Sequence, residues 1–311
     1  MRVYVHGNCQ APAIASLLAA QFPEWEVSSY EVFTQKIIDE ADAYRDSVMS
    51  ADIIISQPIR DNYREREDLS LAWIRSQAKP GSPVVVFPSM FFDGQLVGWR
   101  SVAFPGFGMP YLDMLVLHCA ALGMSAERTA AIVLDDDLYS DPFIAQEISL
   151  SIAEMRRREI ADDIDIPLSP FLDQFGTTTP LFHVTNHPYR QAIAYITNAI
   201  LAYLGLSGKV PMTGDECLRF PHVPLAGSVR RFLRKNGGGD PAWEVPEPDK
   251  YLLPDGHRYP CVEYCDLVVT HLRSYQRKEL LDALRQPHVR PFLQRLADTV
   301  PTIPGIELHR A

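Results

Sequence analysis

The turn Gly7-Asn8-Cys9-Gln10 has the residue types in this sequence that are best suited to catalysis. Gly7 permits an unusual backbone conformation, and the side-chain amide of Asn8 could donate a hydrogen bond to an oxyanion. Cys9 lies next to a predicted helix start, where the helix dipole lowers the pKa of a thiol and favours the nucleophilic thiolate. The backbone amides of a helix start also suit a phosphate. A cysteine is more often a small core residue, so both interpretations stay open.

A second candidate lies far along the chain, in the segment F-H-V-T-N-H-P at residues 182–188. A histidine that follows a late strand and faces the first turn is a suitable general base, and His187 is the better placed of the two. If the two histidines have only structural roles, His187 lies at the start of the next helix and His183 is a core residue. Two histidines four residues apart could bind a metal ion, but Pro188 disfavours a helix and no third ligand follows, so no metal site is predicted.

Short apolar runs alternate with helical patterns in the first part of the chain, and this alternation positions the candidate residues. Four strands are predicted, at residues 2–6, 26–30, 51–56 and 83–87. The pattern predicts an α/β fold with an open, mostly parallel sheet flanked by helices. Ligands of such sheets bind beyond the carboxyl ends of the strands. We therefore expect Ser56-Gln57 and Ser89-Met90, which follow the third and fourth strands, at the same edge as Cys9.

The rest of the chain is predicted to add helices and one long loop. Helices are expected at residues 33–43, 69–78, 111–122, 125–134, 141–160, 190–204, 268–284 and 289–299. The segment 96–110 is too long for a simple connection between two elements and is predicted to be a functional loop. We expect an α/β catalytic core at residues 1–205 and an irregular, helical C-terminal region at residues 206–311 packed on it. The basic run around Arg234 is typical of an exposed helix face, although it could also meet phosphates.

Composition excludes several classes of protein. The 311 residues are 47% hydrophobic and carry a formal net charge of −10, which argues against a disordered chain and against a general nucleic-acid or membrane-surface binder. The five cysteines are scattered and odd in number, which favours a reducing compartment. No run approaches the roughly 18 apolar residues of a membrane span, and the N-terminus does not resemble a signal peptide. We expect a cytoplasmic protein whose oligomeric state is open.

Two motifs together resemble the WcbI-like capsular polysaccharide biosynthesis acetyltransferases. One is the G-N-C-Q turn after the N-terminal strand, and the other is the F-H-V-T-N-H-P segment before a helix. The tract Pro110-Tyr111-Leu112-Asp113 also fits, although Leu112 stands where that family usually has a histidine. The resemblance covers about residues 1–205.

The resemblance implies a coenzyme A-binding O-acetyltransferase that moves an acetyl group from acetyl-coenzyme A to a sugar hydroxyl. It implies a fold similar to the SGNH-hydrolase esterases, with Cys9 at the place of the esterase serine and His187 at the place of its late histidine. Asn8 and Gln10 are then expected to bind the thioester carbonyl oxygen, and His187 to take a proton from Cys9 or directly from the sugar hydroxyl. The expected cofactor-binding residues are Gly7, Cys9, Gln10, Ser56, Gln57, Ser89, Met90, His183, Asn186 and Arg234, with Arg60 and Arg64 as further candidates for the phosphates.

Two other functions remain compatible with these residues. An SGNH-like carbohydrate esterase could use the same Cys-His pair on an acylated sugar without a cofactor. A non-catalytic protein could bind coenzyme A or carbohydrate, with Cys9 only packed. The acceptor itself could be a sugar, a nucleotide sugar or a glycan, since the sequence does not distinguish them.

Overall fold

The structure is a computed structural model that describes residues 1–102, 104–105, 107–218, 221–237, 250–300 and 302–309. The chain divides into two compact units. The first unit comprises Met1–Phe91, Ile152–Gln174 and Asn186–Leu218. The second comprises Phe92–Ser151, Phe175–Thr185 and Arg219–Ala311. That the catalytic core ends at residue 205 and a C-terminal region begins at residue 206 stays a prediction.

A parallel sheet of four strands forms the centre of the first unit, in the order β2-β1-β3-β4. Its strands are β1 (Arg2–Gly7), β2 (Glu26–Glu31), β3 (Ile53–Ser56) and β4 (Val84–Val86). All four lie where strands were predicted, and the α/β class with a mostly parallel sheet is confirmed. The central strand β3 is buried along its whole length, as expected for a strand covered on both faces.

Helices of the first unit flank this sheet. Those of the first unit before residue 91 are α1 (Gln10–Gln21), α2 (Lys36–Asp39), α3 (Ala41–Ser50) and α4 (Leu71–Gln77). Next in the chain come α5 (Met114–Ala121), α6 (Ala126–Val133), α7 (Asp141–Ala161), α8 (Ser169–Phe175) and α9 (Arg190–Tyr203). Helix α1 contacts β1 and β2, and α9 packs against α1. On the other face, Tyr4 and Ile54 pack with Ile37, Tyr44 and Ile74 of α2, α3 and α4.

The second unit contains shorter strands and the C-terminal helices. Its strands are β5 (Trp99–Ser101), β6 (Tyr111–Asp113), β7 (Phe182–Val184), β9 (Lys250–Leu252) and β10 (Arg258–Pro260), whereas β8 (His187–Pro188) belongs to the first unit. Its C-terminal helices are α10 (Gly227–Gly237), α11 (Cys261–Leu272), α12 (Arg277–Leu284) and α13 (Arg290–Thr299). Among the described residues, no helix combines the length and the apolar character needed to cross a bilayer.

Several predicted boundaries were wrong for local reasons. The helix predicted at residues 33–43 is replaced by α2 and α3, because Glu40 leaves the helical conformation between them. The helix predicted from residue 111 starts at Met114, where the Asp113 carboxylate accepts a hydrogen bond from the Leu115 amide. Residues 111–113 instead pair with β5, so part of the predicted long loop is a hairpin. The helix predicted at 268–284 is two helices, with a capping box from Gln276 starting the second.

A buried histidine inside the sheet makes stability depend on pH. His6 has no exposed surface, and its ring lies between the Tyr4 hydroxyl, 3.0 Å from Nδ1, and the Leu69 carbonyl, 2.9 Å from Nε2. Because the Leu69 oxygen can only accept, Nε2 carries the proton and Nδ1 accepts from Tyr4. Burial lowers the pKa of His6 to about 4, so the neutral ring is the folded form.

We expect the free energy of unfolding to fall as pH drops from about 6.5 towards 4. The unfolded chain takes up a proton at His6 with a pKa near 6.5, whereas the folded protein resists protonation until about pH 4. This difference is worth about 3 kcal/mol, present above pH 6.5 and lost as the pH falls through that window. Urea unfolding at pH 7.5 and 4.5 measures it. Burial also lowers the pKa of His222, to about 3, so His222 contributes to the same loss of stability at low pH. The contribution of His6 is therefore the difference in pH dependence between the wild type and His6→Gln. An equal pH dependence in both proteins would contradict the assignment to His6.

Candidate active site

The parallel sheet places three loops at its carboxyl edge. Gly7 ends β1 and Gln10 begins α1, so Asn8 and Cys9 form the turn between them. Hydrogen bonds from the Gln57 amide to the His6 carbonyl and from the Phe87 amide to the Ser56 carbonyl, 2.9 and 3.0 Å, continue the ladders beyond the strand ends. The loops after β1, β3 and β4 therefore lie side by side.

Cys9 and His187 meet in this cluster although 178 residues separate them in the sequence. The Cys9 Sγ atom lies 3.3 Å from His187 Nε2. Both side chains are partly exposed, and both belong to the first unit. A thiol in hydrogen-bond contact with an imidazole is the arrangement of a nucleophile and its base.

The electrostatics of Cys9 differ from the sequence-based expectation. Burial, and secondarily the Glu31 carboxylate, raise the pKa of the Cys9 thiol to about 12. The expectation that the helix start lowers this pKa was wrong, because the loss of solvation outweighs the local backbone hydrogen bond. In the free protein Cys9 is therefore a neutral thiol in contact with His187 Nε2.

Cys9 should react slowly with alkylating reagents at neutral pH. With a pKa of about 12 instead of 9.0, its thiolate population at pH 8 is about a thousandfold below that of an ordinary thiol. Iodoacetamide labelling, followed at each cysteine by peptide mass spectrometry, should show a Cys9 rate that rises about tenfold per pH unit from pH 7 to 10. A rate that levels off near pH 8 would contradict this environment.

Asn8 links the Cys9 turn to the neighbouring loops. Its backbone amide donates to Gln57 Oε1 at 2.8 Å, and its Oδ1 accepts from the backbone amide of Gln10 at 2.9 Å. Its Nδ2 donates to Ser89 Oγ at 3.2 Å. Asn8 is half-buried and Ser89 is exposed, so the amide and the hydroxyl lie where a ligand can reach them.

Gln10 joins three loops from a fully buried position. Its Nε2 donates to the carbonyl oxygens of Met90 and Asn186, at 2.7 and 2.8 Å. Its Oε1 accepts from the Met90 amide at 2.9 Å and from Gln57 Nε2 at 2.8 Å. Both amide hydrogens of Gln10 are thus engaged, and the side chain holds the site together.

Gly7 gives the Gln57 side chain the space it needs. A Cβ atom on Gly7 would lie 2.5 Å from Gln57 Oε1 and 2.8 Å from its Cδ. Gln57 is 1% exposed and is hydrogen-bonded to Asn8 and Gln10, so it cannot move aside without breaking the cluster. Glycine is required here by the close approach of this side chain.

The remaining predicted residues occupy different environments. Ser56 and Met90 have no exposed surface, and the Ser56 hydroxyl donates to the Gln57 carbonyl, so both support the loops from inside. Asn186 lies beside His187, and its buried Oδ1 accepts no hydrogen bond from any residue that the structure describes. His183 and Arg234 belong to the second unit, where His183 Nδ1 lies 3.1 Å from His222 Nδ1. Their roles stay predictions.

The sequence reasoning missed Glu31, the last residue of β2. Glu31 is level with Gly7 in the β1–β2 ladder, and its charge influences Cys9. Its own pKa is raised by burial. The carboxyl-edge rule that selected residues after β1, β3 and β4 applies equally to β2, so this residue could have been found.

The second unit contains a separate cavity of about 50 Å³. Its lining includes Trp99, Tyr251, Arg230 and Asp113, whose pKa burial raises to about 6. The Asp113 carboxylate already caps α5, and the described residues that line this cavity include Cys261 but no histidine, so the chemistry favours the Cys9 cluster as the active site. Among the described residues, no group of three or more His, Cys, Asp or Glu side chains could hold a metal ion.

Comparisons with known proteins agree on one family. A sequence profile of the polysaccharide biosynthesis enzyme WcbI matches residues 2–209. A search of curated proteins found no match. A solved structure of WcbI, described as a novel polysaccharide biosynthesis enzyme in a native form without a disulfide bond between coenzyme A and a cysteine, is similar in fold, with a TM-score of 0.75 and 18% identity over 99% of this chain and 98% of that one. The profile match covers more than half of the chain, which therefore belongs to the WcbI family of polysaccharide biosynthesis enzymes.

Proposed function

We propose that this protein is an acetyl-coenzyme A-dependent O-acetyltransferase that acetylates a sugar hydroxyl in capsular or extracellular polysaccharide biosynthesis. The observation that carries the proposal is the 3.3 Å contact between Cys9 Sγ and His187 Nε2 at the carboxyl edge of a parallel sheet. Membership of a polysaccharide biosynthesis family supports the sugar acceptor. The description of the similar structure, which concerns coenzyme A and a cysteine, supports the donor.

In the first half of the proposed reaction, Cys9 Sγ attacks the thioester carbonyl carbon while its proton passes to His187 Nε2. This coupled transfer suits a thiol whose pKa is high, because a free thiolate need not form beforehand. Breaking the bond between the carbonyl carbon and the coenzyme A sulfur then releases coenzyme A, which takes the proton from His187. The acetyl group remains on Cys9.

In the second half, the sugar hydroxyl attacks the acetyl carbon on Cys9. His187 Nε2 accepts the hydroxyl proton and returns it to Cys9 Sγ as the sulfur leaves, which restores the starting state. Both halves pass through a tetrahedral oxyanion. The Asn8 side-chain amide and the exposed Ser89 hydroxyl are its proposed donors, since the Gln10 amide hydrogens are engaged elsewhere.

Other residues of the cluster have proposed roles in holding the donor. The buried Asn186 Oδ1 can accept from an amide N–H of the pantetheine arm, which would give this atom the partner it lacks among the described residues. Arg60 is exposed on the loop after β3 and could meet phosphates. Arg64 donates instead to the Phe33 carbonyl through Nη1. Because acetyl-coenzyme A is a cytoplasmic metabolite, we propose that the enzyme acts there.

A thermal-shift titration with coenzyme A and acetyl-coenzyme A tests the donor. We expect the melting temperature to rise with ligand concentration, since a ligand that binds only the folded state stabilises it. No shift with either compound would count against the transferase. Cleavage of an acetylated sugar in the absence of coenzyme A would instead favour an esterase that uses the same pair.

A further inference from the structure

The carboxylate of Glu31 lies at the sheet edge without a partner among the described residues. The side chain is half-buried at the carboxyl end of β2. Among the residues that the structure describes, no hydrogen bond or ion pair engages its carboxylate. A half-buried carboxylate without a protein partner keeps its acceptor positions open, so it is available to a ligand.

Glu31 lies next to the reacting thiol. The β1–β2 register places Glu31 opposite Gly7, and the Val32 amide donates to the Gly7 carbonyl at 2.9 Å, which fixes the two chains beyond the sheet. Cys9 follows Gly7 by two residues, and the charge of Glu31 contributes to the raised pKa of its thiol. A group bound by this carboxylate would therefore be near the acetyl group on Cys9.

The segment after Glu31 exposes an aromatic ring. Phe33 is 45% exposed, although most large apolar side chains of the first unit are buried. Its backbone is tied in place, since the Phe33 carbonyl accepts from Arg64 and the Thr34 hydroxyl donates to the Glu31 carbonyl at 3.0 Å. The β2 loop, residues 31–34, thus presents one carboxylate and one aromatic ring on an anchored backbone.

We propose that Glu31 and Phe33 of the β2 loop form the subsite for the acceptor sugar, where the carboxylate accepts hydrogen bonds from sugar hydroxyls and the ring packs against the C–H face of the sugar. Neutral carbohydrates offer hydroxyl donors and an apolar ring face, and these two side chains match both. A phosphate or another anion would be repelled by the carboxylate. This inference rests on the proposed acetyl transfer, for which it names the side that receives the acceptor.

The test separates acetyl loading from acetyl unloading. Loading is the coenzyme A released in one turnover from acetyl-coenzyme A, and unloading is the loss of the acetyl group on addition of a panel of methyl hexopyranosides. We expect Phe33→Ala to load at the wild-type rate and Glu31→Gln to load at least as fast as the wild type. Both should unload to sugar about tenfold more slowly or worse, mainly through a higher KM for the sugar. The controls are Glu24→Gln and Met49→Ala, which replace an exposed glutamate and an exposed apolar side chain of the first unit. Both control variants should unload at the wild-type rate.

Each contrary outcome has a distinct meaning. Sugar-dependent unloading that is unchanged in both variants, or loading that falls as much as unloading, would overturn the subsite. Wild-type enzyme that loads but is not unloaded by any glycoside faster than by water would overturn it as well. Wild-type enzyme that never loads would contradict the proposed function itself. Glu31→Gln should also alkylate faster at Cys9, and an unchanged rate would remove the proximity on which the subsite depends.

Discussion

Replacing Cys9 by alanine should abolish acetyl transfer while leaving the fold and coenzyme A binding intact. The Sγ atom is the proposed nucleophile, and alanine offers no substitute, so we expect kcat to fall by at least about a thousandfold. That corresponds to roughly 4 kcal/mol of transition-state stabilisation. His187→Ala should fall by a similar factor, and the double variant should lose little more, because the two side chains act as one unit.

Cys217→Ala is the matched control for this experiment. Cys217 is also a free, partly exposed cysteine of the first unit, and its thiol contacts the Arg190 side chain. We expect its removal to leave the rate unchanged. Steady-state rates of coenzyme A release and the melting temperature should be measured for all variants. Wild-type turnover in both Cys9→Ala and His187→Ala would eliminate the pair as the catalytic machinery.

Replacing Gln10 should cause the largest loss of stability of any single substitution at the site. Gln10→Met keeps the approximate volume but removes four buried hydrogen bonds, which leaves the Met90 amide and the Met90 and Asn186 carbonyls without partners. We expect the free energy of unfolding to fall by about 4 kcal/mol, since each buried group left unpaired costs ~1–3 kcal/mol. Urea unfolding measures this loss.

Two further variants identify the cause. Gln10→Glu keeps the shape but turns the donor pair into an acceptor that faces two carbonyl oxygens, so it should be at least as destabilising as Gln10→Met. Gln77→Ala, at an exposed position in α4, should change stability by about 0.5 kcal/mol or less. If Gln10→Glu were as stable as the wild type, the donor bonds to Met90 and Asn186 would not hold the loops together.

The sheet and the position of the candidate site follow from local sequence patterns. The apolar runs of β1, β3 and β4 are typical of strands buried on both faces, and the carboxyl-edge rule then brings Gly7, Gln57 and Ser89 together. The same rule, applied to a late histidine, led to His187, which lies in contact with Cys9.

Other features depend on tertiary contacts and could not be predicted. Gln10 bonds to backbone atoms of Met90 and Asn186, 80 and 176 residues away, and no pattern in the sequence encodes such contacts. The raised pKa of Cys9 reflects how much solvent the folded chain removes from the thiol, which a helix-start rule ignores. The break between α2 and α3 depends on the backbone of Glu40, which no proline or glycine marks.

The most direct test of the proposed mechanism is to find where the acetyl group resides during the reaction. Wild-type protein, mixed with acetyl-coenzyme A without a sugar and quenched in acid, should gain the mass of one acetyl group in intact-protein mass spectrometry. Peptide mapping should place that group on Cys9, and Cys9→Ala should gain none. Acetyl transfer to a sugar that proceeds with Cys9 unmodified, or with Cys9 replaced by alanine, would contradict the account.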